Sequence, residues 1–321
     1  MRNVLLRYRV PVSLLAAGLL VGMSVQLYKF GVGIVVLAII QAWICGATML
    51  WNDLFDRNED RGKSREMTDL EHAKLYQLAV IQWCVLVVIA VSWLFLHRSD
   101  NQGLAIWQSS LLLSQIGVGI WLYNWIRPWY PVNNVLVAVT ASSPVLMLFP
   151  VAGSSKPLVL GVFLSVVMAL VIRETLKDIE DMEADRNGNK RTLPLLVGEP
   201  QAFRAVCWIA CLMPWPTVIG MWLSARWHET YMLLPLFLFF GWGMTRGVVH
   251  GAARFWNSNM DYEHRTSKHM FDVWLLLAVM TWWFHPHPLL NTTFGGVAFF
   301  LATGMLAFWL LQKTGALYKR W

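Results

Sequence analysis

Apolar runs of about 18 or more residues recur along the whole of this 321-residue chain. A run of that length can cross a hydrocarbon layer as a helix, because a helix satisfies every backbone N–H and C=O within one segment. Ten such runs are read, at 11–28, 30–51, 75–96, 104–126, 132–152, 157–176, 202–224, 229–249, 269–286 and 294–312. Length alone would admit two soluble domains, but residues that are 57% hydrophobic and only 14% charged override that prior. The expected fold is all-α: a polytopic transmembrane helical bundle forming a single integral-membrane domain, 1–321.

Charge gives the expected orientation. With the amino terminus in the cytoplasm, 22 of the 26 lysines and arginines lie on the cytoplasmic side, and only Lys29, Arg98, Lys156 and Arg226 fall outside it. The net charge of +7 raises the question of nucleic acid. The basic residues are scattered over helix ends rather than gathered in a soluble patch, so the expected neighbour is the lipid bilayer with its anionic headgroups, with no nucleic acid partner and no protein partner to infer. Arg2, Arg7 and Arg9 ahead of the first run resemble a signal peptide, but the run is long and has no small-x-small cleavage site, which favours a retained first span. Cys45, Cys84, Cys207 and Cys211 all fall in spans, without disulfide or zinc spacing.

Against this apolar background two acidic stretches stand out, Asn52-Asp53-Leu54-Phe55-Asp56-Arg57-Asn58-Glu59-Asp60 and Asp178-Ile179-Glu180-Asp181-Met182-Glu183-Ala184-Asp185. Each carries aspartates at i, i+3 and i+7, which a continuous helix would place on one face. Each follows a long apolar run, the second and the sixth, on the predicted cytoplasmic side. One such cluster reads equally well as a solvated acidic loop; two with identical spacing do not. Three like charges on one face are tolerable when a hard divalent cation lies among them, and Mg²⁺ takes oxygen ligands, keeps several waters and bridges one or two carboxylates to a substrate phosphate. The expectation is two acidic helix ends facing each other across a Mg²⁺-bound diphosphate.

Cations are expected near those acids. Arg173 and Lys177 are four apart on the helix leading to Asp178, and either they pair with Glu174 and the aspartates or they supply the positive charge a diphosphate requires. Arg127 follows the fourth span on the same side and is a candidate for diphosphate oxygens. The tryptophans and tyrosines around it read as an interfacial belt. Gly18-x-x-x-Gly22 in the first span allows close helix approach, a packing feature. His285-Pro286-His287-Pro288 falls on the opposite side from the acids and reads as a turn.

These residues resemble the signature pair of the UbiA superfamily of intramembrane prenyltransferases, Asn-Asp-x-x-Asp-x-x-x-Asp and Asp-x-x-Asp-x-x-x-Asp, placed as in that family after the second and sixth spans. The resemblance covers about 10–285. Arg173-Glu174 through Asp185-Arg186, with Thr192-Leu193-Pro194 and Gly198, is most similar to the branch that includes geranylgeranylglyceryl phosphate prenyltransferases. Arg127 and Asn134 stand where that family has a Lys and an Asn. The chain departs from the family pattern in having Arg61-Gly62-Lys63-Ser64-Arg65, without proline, after the first motif. The resemblance implies a nine-helix core, with 294–312 as an added tenth helix.

The resemblance further implies transfer of a prenyl group from a prenyl diphosphate donor to a hydrophobic or aromatic acceptor. Asp53, Asp56, Asp60, Asp178, Asp181 and Asp185 would hold Mg²⁺ against the leaving diphosphate. Arg57, Arg127, Arg173, Lys177 and Lys190 would contact its oxygens. Asn52 would orient a carboxylate or the acceptor, with helix capping as the equal alternative. Tyr123 would face the allylic cation. The preferred acceptor is lipid-like or a glycerol phosphate. The alternatives are an aromatic acceptor in quinone biosynthesis, with Arg57, Arg61 or Arg65 meeting its carboxylate, an intramembrane terpene cyclase that needs no acceptor, and, from a different class, a membrane transporter, which would place its acids nearer the bilayer midplane.

Overall fold

The computed structural model describes residues 10–27, 29, 31–55, 67–97, 101–122, 125, 132–187, 191–226 and 240. Apart from residue 240, the spans expected at 229–249, 269–286 and 294–312, and with them the added tenth helix, lie outside the described residues.

The described residues form helices and their connections, without strands. In order these are α1 (Val10–Gln26), α2 (Val32–Phe55), α3 (Asp69–Leu96), α4 (Gln102–Gly117) with a π-helical extension Val118–Leu122, and α5 (Val132–Ser142) running on as a 3-10 segment Ser143–Val151. There follow α6 (Lys156–Glu180), α7 (Met182–Asn187), α8 (Leu193–Val197), α9 (Glu199–Leu212) and α10 (Trp215–Leu223). Six of the helical stretches are long and apolar enough to cross a membrane: Val32–Phe55, Asp69–Leu96, Gln102–Leu122, Val132–Val151, Gly153–Ile179 and Glu199–Leu223. The protein is an integral, multi-pass membrane protein.

Local signals set several boundaries. Thr68 caps α3, its side chain accepting the Glu71 N–H at 3.2 Å, and Asn101 caps α4 by accepting from Leu104 N–H at 3.0 Å. Both acceptors satisfy donors that the first helical turn leaves without carbonyl partners. Pro144 lies at the start of the 3-10 segment and Pro150 within it, where the missing N–H of Pro150 and the clash of its ring with the preceding turn disfavour an α-helix.

α6 is the hub, packed by α5, α9 and α10, while α1 pairs with α2 and α3 with α4. Glycine sets the closest approach. A Cβ on Gly161 would strike the Pro216 carbonyl oxygen, and one on Gly220 would lie 2.5 Å from the Pro157 carbonyl oxygen, so α6 and α10 meet backbone to backbone at two reciprocal points. Buried hydrogen bonds reinforce the contact. Ser165 Oγ donates to the Met213 carbonyl at 2.7 Å, and Ser224 Oγ accepts from Leu158 N–H at 3.1 Å. On the other side, Trp93 donates to Gln108 Oε1 at 2.9 Å and Trp107 to the Leu146 carbonyl at 2.7 Å. Where lipid offers no competing water, such bonds contribute on the order of 0.6–2 kcal/mol each. The apolar side chains left outside, such as Ile81, Val88 and Phe95 seven residues apart on α3, face outward, as lipid-contacting positions do.

Candidate active site

The first acidic motif begins inside α2. Its helix runs unbroken through Asn52 and Asp53 to Phe55, and both polar residues are buried, Asp53 at 1% exposure. This end of α2 is braced from two sides. The Trp51 indole N–H donates to the Ile120 carbonyl at 3.1 Å, in the widened π-helical turn of α4. The same indole stacks on Tyr76 of α3 with ring centroids 5.5 Å apart, and meets Phe55 edge-on at 5.4 Å. π-turns of this kind recur at functional sites, because they offset the carbonyl register of an otherwise regular helix. Gly119 makes the approach possible, since a Cβ there would lie 2.8 Å from Thr48 Oγ1 and 3.0 Å from Trp83.

The second motif is built differently. α6 ends at Glu180, the backbone leaves helical geometry at Asp181 (φ −95°, ψ 8°), and α7 restarts at Met182. The spacing predicts one face for all three aspartates. In the structure Asp185 is buried, Asp178 is half-buried and Asp181 is exposed. The break at Asp181 changes the phase between the two helices and turns that carboxylate to the outside. Asp178 is fixed by a neighbouring element: Asn134 of α5, itself buried, donates from Nδ2 to Asp178 Oδ2 at 2.8 Å.

Residues beside both acidic motifs line one cavity, while none of the four described aspartates, Asp53, Asp178, Asp181 and Asp185, is among its lining residues. Asn52 lines it from α2, and Arg173, Glu174 and Lys177 line it from α6. The four-residue spacing of Arg173 and Lys177 does place both on the cavity face. Arg173 Nη1 donates to Glu174 Oε1 at 2.6 Å, and both side chains are more than four-fifths buried. The rest of the wall is mainly apolar, from Ala16 on α1 through Ile44 and Met49 on α2 to Val137, Ala141 and Pro144 on the α5 side.

Asp56, Arg57, Asp60, Tyr123, Arg127 and Lys190 lie outside the described residues. Among the described residues no three acidic, histidine or cysteine side chains come together as a ready-made metal cage. The described members of the acidic set, Asp53, Asp178, Asp181 and Asp185, offer only carboxylate oxygens. That donor chemistry fits Mg²⁺, which binds through one or two carboxylates, several waters and a substrate phosphate. The pairing of Arg173 with Glu174 is one of the two alternatives that the sequence leaves open. Gln41 and Gln115, also on the cavity wall, escaped the sequence reading, though each carried a signal, an amide side chain in the middle of an apolar run.

The profile of the UbiA prenyltransferase family matches residues 10–256. The digeranylgeranylglyceryl phosphate synthase of Methanopyrus kandleri is 26% identical over 235 residues, covering 70% of this chain and 80% of that protein. The enzyme of the same name from Natronomonas pharaonis is 28% identical over 201 residues, covering 59% of this chain and 66% of its own length. That from Pyrococcus furiosus is 36% identical over 109 residues, about a third of each chain. A solved structure described for digeranylgeranylglyceryl phosphate synthase in membranes superposes with a TM-score of 0.59 at 17% identity, covering 87% of this chain and 96% of that one, and so shares the fold. A match spanning most of the chain, on an apolar helical bundle, places this protein in the UbiA prenyltransferase family.

Proposed function

We propose that this prenyltransferase is Mg²⁺-dependent and moves a polyprenyl group from an allylic diphosphate to a lipid-like or glycerol phosphate acceptor, with its amino terminus and active site facing the cytoplasm. The observation that carries the reading is the convergence of Asn52 on α2 with Arg173 and Lys177 on α6 in the wall of a cavity that is otherwise mainly apolar. An amphiphile with an anionic head and a hydrocarbon tail fits that division. The shared name of the relatives favours a glycerol phosphate acceptor.

Lys177 and Arg173 supply the fixed positive charge for the diphosphate, and Glu174 holds the Arg173 guanidinium in place. Asn134 orients the Asp178 carboxylate through its 2.8 Å hydrogen bond, the outer support that a carboxylate needs to hold a fixed geometry. Asn52 borders the cavity beside Asp53 and orients the head group or the acceptor. Asp53, Asp56, Asp60, Asp178, Asp181 and Asp185 would hold Mg²⁺. When bound, that ion neutralises charge developing on the departing diphosphate. Arg57, Arg127 and Lys190 add further cationic contacts, and Tyr123 shelters the allylic carbon. The apolar wall excludes water, which would otherwise capture the allylic fragment.

The test is a Mg²⁺-dependent assay on purified protein in lipid, with labelled geranyl, farnesyl and geranylgeranyl diphosphates, a panel of glycerol phosphate and aromatic acceptors, and mass spectrometry of every lipid-soluble product. A prenylated glycerol phosphate is expected. A prenylated aromatic would change the acceptor class, and diphosphate release with no adduct would point to cyclisation.

A further inference from the structure

Among the described residues that line the cavity, the ionisable side chains are Cys45, Arg173, Glu174 and Lys177, and Glu174 is their only carboxylate. The described aspartates of the two motifs are not part of that wall. Glu174 Oε1 accepts from Arg173 Nη1 at 2.6 Å. For the binding of an anion this pairing is unfavourable. It offsets the positive charge of Arg173 and sets a negative group beside the place a diphosphate would occupy. Burying the carboxylate costs free energy as well. A wall that served diphosphate binding alone would do better with a neutral partner such as glutamine, whose side-chain oxygen also accepts from a guanidinium.

We propose that Glu174 is the catalytic base, taking the proton from the acceptor's hydroxyl group as that oxygen attacks the allylic carbon. The inference rests on the prenyl transfer reading given above. The reacting carbon is bonded directly to a diphosphate oxygen, so cations that hold the diphosphate keep that carbon beside them, and one of those cations, Arg173, touches Glu174. In the step, the bond between the allylic carbon and the diphosphate oxygen breaks, and its electron pair leaves with diphosphate. A lone pair of the hydroxyl oxygen forms the new ether C–O bond. The O–H proton passes to the Glu174 carboxylate, which later releases it to water. A free hydroxyl is a very weak acid, but its proton becomes strongly acidic as the oxygen bonds to a cationic carbon, so an ordinary carboxylate suffices as the base. Carboxylates offer about four lone-pair sites, so accepting from Arg173 is compatible with accepting from a hydroxyl.

The experiment separates ionisation of the donor from its capture. Allylic diphosphate carrying ¹⁸O in the bridging position is incubated with purified protein in lipid. Movement of the label to non-bridging positions, read without acceptor, reports ionisation; ether formation with the acceptor that gives product in the panel above reports capture. Wild type, Glu174→Gln and Lys177→Met are compared, each checked by thermal unfolding in lipid. Glu174→Gln, which keeps an oxygen for Arg173, should lower transfer relative to exchange by about 10²-fold or more, the range lost with a general base. Lys177→Met, which removes a diphosphate contact, should lower both together. If Glu174→Gln fails to fold, Glu174→Met carries the same ratio. A ratio equal to that of wild type would overturn the base and reduce Glu174 to a support for Arg173. A wild type that exchanges label but forms no ether, or prenylates a ring carbon, would also overturn it while the donor chemistry stands. A folded wild type that neither exchanges nor transfers would overturn the prenyl transfer reading and this inference with it.

Discussion

The two acidic helix ends have the same residue spacing and opposite construction. At the end of α2 the helix carries Asn52 and Asp53 into the protein, and the bracing comes from Trp51, one residue earlier, through Ile120 and Tyr76. At the end of α6 the helix stops at Glu180, Asp181 faces outward, and the bracing reaches the carboxylate itself through Asn134. The brace seen at the first end falls on a residue beside the carboxylate, and the one seen at the second falls on the Asp178 carboxylate itself. A site that receives one large anion gains from that difference, because a rigid wall can fix the head group while an exposed, turn-borne carboxylate remains able to meet what arrives from the aqueous side.

The largest effects should come from the carboxylates. Asp53→Asn and Asp181→Asn should each lower turnover by about 10²–10³-fold, the range lost when one electrostatic partner of a developing charge is removed. Their stabilities should differ. The exposed Asp181 position should unfold at the wild-type temperature, whereas the buried Asp53 position should show a measurable shift in a thermal scan in lipid. Wild-type turnover by the Asp181 variant would break the comparison, by making the second motif's turn a passive connection.

Next in size is Asn134→Ala. A hydrogen bond to a charged group is worth about 1.5–3 kcal/mol, so the loss of Asp178 orientation should cost about ten- to a hundredfold in kcat/KM. Because the bond holds a carboxylate of the second end, the apparent Mg²⁺ requirement should rise in this variant and stay unchanged in variants of Trp51. Metal titration of the rate checks both halves of that statement.

Over the described residues the succession of apolar helices was legible in the sequence, and the angular detail was not. The apolar runs read at 30–51 and 157–176 correspond to α2 and α6, because burial in lipid needs only length and hydropathy. The cationic pair Arg173 and Lys177 was legible as well, since i, i+4 is a property of any helix. The outward turn of Asp181 was not, because nothing in an Asp-x-x-Asp spacing says where a helix loses its last turn. Asn134 was visible only through family resemblance, since its partner Asp178 is 44 residues away. Gln41 and Gln115 were passed over for a related reason: a single amide barely lowers the hydropathy of a long run, and its meaning depends on a neighbour on another helix.

Gly220→Ala strains the start of α6, at the opposite end of that helix from the second motif. The added Cβ would sit 2.5 Å from the Pro157 carbonyl oxygen and 3.0 Å from Leu158 Cα, backbone atoms that cannot swing aside. Overpacking of this kind costs about 1–3 kcal/mol. The expected outcome is a lower unfolding temperature in lipid, with a fall in turnover that follows the displacement of α6. A Gly220→Ala protein with wild-type stability would mean that α6 and α10 can separate at this contact without cost.

The smallest effect tests the first end. Trp51→Phe keeps an aromatic ring against Tyr76 and Phe55 and removes only the N–H that donates to the Ile120 carbonyl. A neutral hydrogen bond contributes about 1 kcal/mol net, and the freed carbonyl can return part of that by relaxing toward a regular α-turn. Thermal unfolding should therefore register a loss of about 1 kcal/mol or less, and turnover should fall by less than about fivefold, since Asn52 and Asp53 keep their helix. A loss as large as that of Asn134→Ala would mean that the indole hydrogen bond fixes the first carboxylate as directly as Asn134 fixes Asp178, and the two ends would then differ in sequence position alone.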